Sequence, residues 1–398
     1  MKKVIICLLS FILLLCGCTV SQPSNQVDPP NAIYVKSVWI SYFELESITT
    51  SCNTAKEFEK KIKSAFKQVK AIGLNTVTVQ VRPCADAFYK SDYFPVSKYC
   101  FGLQGCELKY DPLEIMVDSA HELGLRIEAW VNPYRVSQSA DINELSDGNI
   151  AKQWYNSADK KTNVYINDRI YFNPAAPEVT ELIVNGVREI VKNYAVDAIH
   201  FDDYFYPTTS KDIDKKEYSD YVENGGKLSL ASWRRETVSN MVKSVYSAIK
   251  EINSTVLFGI SPQSKISANY NTLYADVERW ASEEGFLDYI CPQIYFGFYN
   301  ETQPFASTAK NWQDLATSCK LYVGLPLYKS GQEDNFASAD QDYARKEFIE
   351  NNDIISRQIS YLYQLDKVEG FYIFSFSYLT DKKNESVIQE VKNIKEVI

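Results

Sequence analysis

Histidine is scarce in this chain: its 398 residues include two, His121 and His200. A catalytic metal centre with several histidine ligands needs more of them at short spacing, so such a centre is excluded. No stretch of the chain matches a cofactor-binding motif. We therefore expect neither a metal nor a cofactor.

Basic residues are also in short supply. The chain has 42 lysines and arginines against 51 aspartates and glutamates, which gives a formal net charge of −9. Proteins that bind nucleic acids need a basic face to neutralise phosphates. The charge balance therefore argues against a nucleic-acid partner.

The N-terminal apolar run is too short for a comfortable membrane span. It covers residues 4–15, about 12 residues against the roughly 20 that a bilayer needs, and it follows Lys2 and Lys3. It ends in Leu15-Cys16-Gly17-Cys18, which resembles a bacterial lipobox. The resemblance implies cleavage before Cys18 and lipidation of its thiol; a plain signal peptide is the alternative. In both cases we expect the mature chain outside the cytoplasm, and in the first it is lipid-anchored to the cell membrane.

Residues 18–33 follow as a polar, proline-containing segment that cannot bury a core. We predict a signal peptide over residues 1–17, a tether over 18–33 and one folded domain over 34–398. Six cysteines would remain in that domain, at positions 52, 84, 100, 106, 291 and 319. Disulfides are permitted outside the cytoplasm, and Cys100 and Cys106 could close a small loop.

Aromatic residues are abundant, with 28 Tyr, 20 Phe and 6 Trp. Aromatic faces stack on the C–H faces of sugar rings, so this content suits a carbohydrate-binding cleft. The alternative is that tyrosine is simply frequent in the proteins of an AT-rich genome.

Apolar periodicity changes regularly between the strand and the helix pattern, eight times along the chain. Strands are predicted at residues 38–42, 75–82, 125–132, 196–202, 256–261, 287–295, 321–327 and 370–376. Helices are predicted at residues 54–72, 111–124, 178–193, 230–252, 273–282, 305–318, 341–364 and 386–397. Eight such units predict an α/β fold, a (β/α)8 TIM barrel, with an open doubly wound sheet as the alternative. The longest connections follow strands two, three and four, at residues 83–110, 133–177 and 203–229. They should wall a cleft at the carboxyl ends of the strands.

Alternation along the strands shows which side chains should point into the barrel. The side chains on the opposite face from the apolar, helix-facing positions are Gln80, Arg82, Glu128, Trp130, Asn132, His200, Asp202, Cys291, Gln293 and Tyr295. This predicts a polar upper lumen, which suits a ligand. The alternative is that Arg82, Glu128 and His200 satisfy one another as a buried network.

Two adjacent carboxylates end the fourth predicted strand, at Asp202 and Asp203. Like charges at one rim repel, so the pKa of one of them should rise, as a general acid requires.

Four stretches resemble the glycosyl-hydrolase-like ten family of bacterial proteins: GLNTVTVQVRP at 73–83 with Asp86 and Tyr89, EAWVNPYR at 128–135, DAIHFDDYFYP at 197–207 and DYICPQIY at 288–295. The resemblance implies a barrel hydrolase whose substrates are peptidoglycan or related amino-sugar glycans.

Glycoside hydrolysis generally needs two carboxyl groups. On these positions Asp202 is the expected nucleophile or electrostatic stabiliser, and Asp203 the general acid. Asp203 alternates away from Asp202 unless the strand ends there, so Asp86 on the neighbouring loop is the competing partner across the cleft. Glu44, after the first strand, is a weaker third candidate.

An N-acetylated substrate permits a second mechanism, in which its own carbonyl oxygen attacks the anomeric carbon. Asp202 would then orient the acetamide, Asp203 would act as the acid, and Tyr295 would hydrogen-bond the acetamide oxygen. The candidate substrate contacts are Arg82, Trp130, Asn132, Arg135, His200, Tyr204, Tyr206, Gln263, Gln293 and Tyr295. Arg82 and Arg135 suit an acidic substituent such as a lactyl group, or instead pair with a loop aspartate.

The sequence therefore predicts a glycoside hydrolase that cleaves O-glycosidic bonds of a bacterial cell-wall or surface glycan. The alternative is a non-catalytic lipoprotein that binds glycan on a barrel scaffold. Two carboxyl groups facing each other at roughly 5–10 Å would favour hydrolysis. A lone aspartate beside aromatic residues would favour binding.

Overall fold

The computed structural model describes residues 35–338 and 340–398. Eight parallel strands close into a barrel in which each strand pairs with its neighbours in sequence, and the last pairs with the first. The strands are β1 Val35–Ile40, β2 Thr76–Arg82, β3 Arg126–Val131, β4 Ala198–Phe201, β5 Leu257–Ile260, β6 Tyr289–Ile290, β7 Lys320–Leu325 and β8 Val368–Ile373. The predicted (β/α)8 barrel is confirmed, and the open sheet is wrong.

Helices surround the barrel and fill its connections. They span Tyr42–Thr49, Ala55–Ile72, Lys98–Phe101, Pro112–Glu122, Ile150–Tyr155, Pro177–Asn193, Lys215–Glu223, Leu230–Ile252, Ile266–Thr272, Val277–Ser282, Phe305–Leu315, Asp342–Glu350, Ile354–Leu362, Phe376–Leu379 and Glu385–Val397. In the part of the chain that the structure describes, no helix has the length and apolarity to cross a membrane.

The helix Ala55–Ile72 shows how the sequence sets these elements. Thr54 caps its first turn by accepting from the amide of Glu57, and Gly73 ends it with a left-handed φ of 106°. Such caps stabilise a helix by about 1 kcal/mol each. The predicted apolar face is buried against the barrel, including Phe58 and Phe66.

Several elements differ from their predicted bounds, and two of the differences are large. β6 has two residues rather than nine, because Pro292 has no N–H to continue the ladder; Gln293 beyond it makes isolated bridges to Gln263 and Gly324. The single helical region expected over 341–364 is two helices, separated at residues 351–353.

The long connections lie where they were expected, after β2, β3 and β4. The one after β3 carries a small antiparallel sheet of Arg135–Ser137, Val164–Ile166 and Ile170–Phe172. Because these connections all leave the carboxyl ends of neighbouring strands, they rise on one side of that rim.

Aromatic rings, rather than aliphatic side chains, fill much of the barrel lumen. Trp39, Trp130, Tyr289, Tyr322 and Tyr372 pack together there. Glycines on the strands make room for these rings. A Cβ at Gly259 would lie 2.0 Å from the ring of Tyr289, one at Gly324 would lie 2.8 Å from Trp39, and one at Gly370 would lie 2.7 Å from Tyr322.

The cysteines of the described chain are unpaired. Cys52, Cys84, Cys100, Cys106, Cys291 and Cys319 are all free thiols. The suggested Cys100–Cys106 disulfide is therefore wrong. The proposed signal peptide 1–17, the lipidation site Cys18 and the tether 18–33 lie outside the described residues.

Candidate active site

A cleft opens at the carboxyl ends of the strands, with a cavity of about 320 Å³. It lies on the side of the barrel where the sequence placed the active site. Its lining combines aromatic rings with amides and two carboxylates: Trp39, Ser41, Tyr42, Phe43, Gln80, Trp130, Arg135, Gln138, Asp202, Asp203, Tyr204, Ser261, Gln293, Tyr295, Tyr328 and Phe374.

Asp202 is held rigidly at the floor of this cleft. The indole N–H of Trp130 donates to Oδ2 over 3.1 Å, and the amide of Asn132 donates to both oxygens over 3.1 and 3.2 Å. The backbone N–H of Tyr204 donates to Oδ1 over 3.3 Å. Burial raises the pKa of Asp202 to about 6, because only 3% of the residue is exposed. This pKa is a net result, in which the Asp203 charge acts with burial and Arg135 and Trp130 act against it.

Asp203 lines the same cleft and is more open to solvent than Asp202. β4 ends at Phe201, so strand alternation does not force the two carboxylates apart. Burial raises the pKa of Asp203, and hydrogen bonds from Gln263 and Gln293 oppose that rise. Gln293 is itself fixed, because its amide donates to the Ser261 carbonyl over 2.8 Å.

Asp86 does not line the cleft. It is 1% exposed, in the connection after β2, and its Oδ2 accepts from Gln104 over 3.0 Å. Burial raises its pKa to about 6. Among the described residues that line the cleft, the carboxylates are Asp202 and Asp203 alone. The structure therefore does not place Asp86 opposite Asp202, as the competing hypothesis required.

Glu44 also lies outside the cleft, and it links the segments that follow β1 and β8. One of its oxygens accepts from the backbone and hydroxyl of Ser41, both over 2.7 Å. The other accepts from Ser375 Oγ over 2.8 Å and from the Ser377 amide over 2.6 Å. These bonds give Glu44 a structural position rather than a place at the substrate.

Arg135 lines the cleft, between the rings of Tyr42 and Tyr204, whose centroids lie 5.9 and 5.0 Å from its Cζ. Its Nε donates to the Pro83 carbonyl over 2.8 Å. The ion-paired arginines of the described chain are Arg188, Arg234, Arg279, Arg345 and Arg357. The alternative of a structural pair with a loop aspartate is therefore wrong for Arg135.

Arg82 was expected to share a face with Gln80, but a register shift between them changes its direction. Gln80 pairs with the lumen residue Trp130, whereas Arg82 pairs with Val131, which belongs to the outer core. Arg82 is buried, with its Cζ 4.5 Å from the centroid of Phe94, and it does not line the cleft.

The remaining predicted contacts divide into two groups. Trp130, Tyr204, Gln293 and Tyr295 line the cleft, whereas Asn132, His200, Tyr206 and Gln263 do not. Asn132 holds Asp202, and Gln263 contacts Asp203. Tyr206 points away and donates to Asp214 over 3.0 Å.

The buried network suggested for Arg82, Glu128 and His200 contains Glu128 and His200, which are linked through the Tyr289 hydroxyl, but not Arg82. Glu128 accepts from the hydroxyls of Thr78, Tyr289 and Tyr372 at distances of 2.8–3.1 Å. Arg82 takes no part in these bonds. Burial raises the pKa of Glu128 despite these donors.

The family model described as Glycosyl hydrolase-like 10 matches residues 34–344, most of the chain. The chain belongs to this family. The glycosyl hydrolase YngK of Bacillus subtilis (strain 168) is 33% identical over 366 residues, covering 86% of this chain and 68% of that protein. The glycosyl hydrolase DigH of Escherichia coli (strain K12) is 31% identical over 371 residues, covering 82% of this chain and 83% of that protein.

Solved structures of glycoside hydrolases share the barrel of this glycosyl hydrolase-like 10 protein. The PgaB (BpsB) glycoside hydrolase domain from Bordetella bronchiseptica has a TM-score of 0.56 at 10% identity, covering 91% of this chain and 98% of that chain. The catalytic domain of β-amylase from Paenibacillus polymyxa has a TM-score of 0.56 at 11% identity, covering 92% and 98%. At these identities the likeness concerns the fold alone.

Several residues that line the cleft were missed in the sequence. They are Trp39, Ser41, Tyr42, Phe43, Gln138, Ser261, Tyr328 and Phe374. Alternation could have found Trp39, because Val38 and Ile40 on either side of it belong to the outer core. Most of the others follow strand ends, where alternation gives no information.

The chemistry available in the cleft is that of carboxylates, amides and aromatic rings. Within residues 35–338 and 340–398, no three His, Cys, Asp or Glu side chains are grouped so that they could hold a metal ion. Aromatic faces suit sugar rings, and paired carboxylates with raised pKa values suit proton transfer to a glycosidic oxygen.

Proposed function

We propose that the protein hydrolyses O-glycosidic bonds of a bacterial cell-wall or surface glycan. One observation carries the proposal: Asp202 and Asp203, both with raised pKa values, line one aromatic cleft at the end of β4. The family and the barrel shared with solved glycoside hydrolases support the same class of reaction.

The consecutive positions of the two carboxylates favour the substrate-assisted mechanism on an N-acetylated sugar. A direct displacement needs carboxyl groups on opposite sides of the scissile bond, roughly 5–10 Å apart. Here both carboxylates that line the cleft come from one strand end. The substrate's acetamide oxygen would take the place of the missing nucleophile.

In this mechanism Asp203 enters protonated and gives its proton to the leaving glycosidic oxygen as the bond from that oxygen to C1 breaks. The acetamide carbonyl oxygen bonds to C1 and forms a cyclic oxazolinium ion. Asp202, ionised, accepts from the acetamide N–H and stabilises the positive charge. Asp203 then takes a proton from water, whose oxygen bonds to C1, and the ring opens with the configuration retained. Tyr295, which lines the cleft, is the expected donor to the acetamide oxygen.

The raised pKa values suit this division of labour. Asp203 needs a raised pKa to hold its proton near neutral pH, and burial raises it. Asp202, with a pKa of about 6, is ionised at pH 7. Its fixed position suits a group that orients and stabilises rather than one that must move to bond with C1.

Arg135 suggests that the glycan carries an acidic substituent, such as a lactyl group. Its guanidinium lies between two aromatic rings in the cleft, and its Nε is anchored to a carbonyl. The terminal N–H groups can then present two parallel donors to a carboxylate. Peptidoglycan amino sugars combine such a group with an acetamide.

For localisation, we propose a lipid anchor at Cys18, so that the barrel works outside the cytoplasm on a glycan near the membrane. The lipobox-like Leu15–Cys18 motif supports this. Replacing Cys18 with Ala in the full-length chain should release the protein from the membrane fraction. Retention of that variant in membranes would argue against the anchor.

The deciding experiment is product analysis with protein lacking residues 1–30, on purified peptidoglycan and on chitin-type oligosaccharides. Wild type should produce new reducing ends, while Asp202→Asn and Asp203→Asn should not. Cleavage of N-acetylated but not of de-N-acetylated oligosaccharides would support the substrate-assisted mechanism. Equal cleavage of both would replace it with direct displacement.

A glycan-binding role without catalysis is the second candidate. It is favoured by one observation, the absence of a carboxylate opposite Asp202 and Asp203 among the described residues that line the cleft. If wild type binds these glycans and yields no new reducing ends, binding becomes the better account of the cleft.

A further inference from the structure

His200 lies in the barrel lumen directly beneath two residues that line the cleft. It is fully buried, and its Nε2 is 3.2 Å from the indole nitrogen of Trp39 and 3.0 Å from Ser261 Oγ. Trp39 and Ser261 both line the cleft, whereas His200 does not. His200 therefore acts on the cleft through the side chains that it contacts.

The partners of His200 determine which of its nitrogens carries the proton. An indole nitrogen only donates, so Nε2 must accept from Trp39 and carry no hydrogen. Nδ1 then carries the hydrogen and donates to the Tyr289 hydroxyl over 2.9 Å. Tyr289 in turn donates to Glu128 over 3.1 Å. Burial lowers the pKa of His200 to about 3, in agreement with a neutral ring.

Packing leaves the indole of Trp39 little freedom on its other sides. Its centroid lies 5.1 Å from that of Tyr372 and 6.2 Å from that of Phe374. The absence of a side chain at Gly324 lets the ring approach β7, since a Cβ there would be 2.8 Å from it. The hydrogen bond to His200 then fixes the direction in which the indole N–H points.

We propose that His200 is a positioning residue, which holds the Trp39 indole in place at the floor of the cleft by accepting the indole N–H at its unprotonated Nε2. Trp39 thereby presents a fixed aromatic surface to a sugar ring. The expected effect on KM rests on the proposed glycosidase function. The fixed position of the Trp39 indole does not depend on that function.

Two substitutions at His200 distinguish the role of Nε2 from that of Nδ1. In His200→Gln the side-chain oxygen can reach the place of Nε2 and still accept from Trp39. In His200→Asn the side chain reaches only the place of Nδ1, so Trp39 loses its acceptor. We expect His200→Asn to raise KM about fivefold, as one lost hydrogen bond predicts, with kcat changed less than about twofold. His200→Gln should restore the wild-type KM.

NMR of the Trp39 indole N–H tests the hydrogen bond independently of KM. The signal is assigned by its loss in Trp39→Phe. In wild type and His200→Gln this proton should exchange slowly with water and keep its shift from pH 5 to 8. In His200→Asn it should exchange faster. Rapid exchange of this proton in wild type would overturn the proposal. This outcome does not depend on whether the variants fold.

If no glycan is hydrolysed, the affinity for chitin-type oligosaccharides replaces KM, so failure of the glycosidase function does not decide this question. A slow indole proton in wild type, with equal KM or affinity in His200→Asn, would overturn the positioning role. A rise in KM that His200→Gln does not restore would overturn it as well.

Discussion

Trp130 donates its indole N–H to Oδ2 of Asp202 over 3.1 Å, from the neighbouring strand β3 to the end of β4. This bond favours the ionised carboxylate, whereas burial favours the protonated one. The pKa of about 6 is the result of that competition. The indole therefore has two tasks, as a wall of the cleft and as a regulator of the Asp202 charge.

Replacing Trp130 with Phe should move the acid limb of the pH profile. Without the donor, the pKa of Asp202 rises above about 6, so kcat/KM should begin to fall at a pH higher by about half a unit. The measurement is kcat/KM between pH 4 and 9. Trp280→Phe is the matched control, since it removes an indole bond to Ser239 outside the cleft. An unchanged limb in Trp130→Phe would show that Asp202 does not govern it.

Asn substitutions at Asp203 and Asp86 distinguish the two candidate acids. Asp203 lines the cleft, so Asp203→Asn should lower kcat by about 10²–10⁴-fold. Asp86 is buried behind the lining with Gln104, so Asp86→Asn should stay within about threefold of wild type. Single-turnover rates on one oligosaccharide give the comparison. The reverse order of effects would return Asp86 to the role of acid, through a movement of its loop.

The barrel could be predicted from the sequence because its signals are local. Alternation placed Glu128 and Trp130 in the lumen of β3, and the structure has both there. The same rule failed at Arg82, because one extra residue in the register turned the side chain to the outer face. A bulge of this kind leaves no mark in apolar periodicity.

The candidate site could be predicted in part. Asp202 and Asp203 follow β4 directly, so their position depended on little more than the strand itself. Asp86 and Tyr206 lie in long connections, whose paths depend on tertiary contacts such as the bonds to Gln104 and Asp214. Those contacts depend on the tertiary structure, and no local sequence pattern predicts them.

Glu390 should make the protein less stable as the pH rises, apart from any catalysis. It is buried on the last helix, accepts from the Ser356 amide over 2.8 Å, and burial raises its pKa to about 7. The folded state thus binds its proton more tightly than the unfolded state. Its stabilising contribution is complete below pH 4.5 and is lost as the pH rises through about 7.

Glu390→Gln keeps the acceptor for Ser356 and cannot ionise. Its free energy of unfolding should match that of wild type near pH 4.5 and exceed it at pH 8 by on the order of 2 kcal/mol. Denaturation in urea at both pH values measures the difference. A gap that stays constant with pH would mean that Glu390 ionises in the folded state without penalty.

The connection that follows the two catalytic candidates should depend on a buried ion pair. Arg234 and Asp214 are both inaccessible to solvent, and Nε and Nη2 of Arg234 lie 2.6 and 2.7 Å from the Asp214 oxygens. Arg234 also donates to the carbonyls of Thr209 and Ser210, so it ties this connection to the helix Leu230–Ile252.

Asp214→Ala should therefore cost about 3–5 kcal/mol in the free energy of unfolding, because it leaves the buried guanidinium without its counter-charge. Asp220→Ala is the control: its pair with Lys216 is more than half exposed on both sides, and its loss should cost less than about 1 kcal/mol. Urea denaturation of both variants at pH 7 tests the contrast. Equal costs would mean that water or a rearranged partner satisfies Arg234, and that the connection after β4 has another anchor.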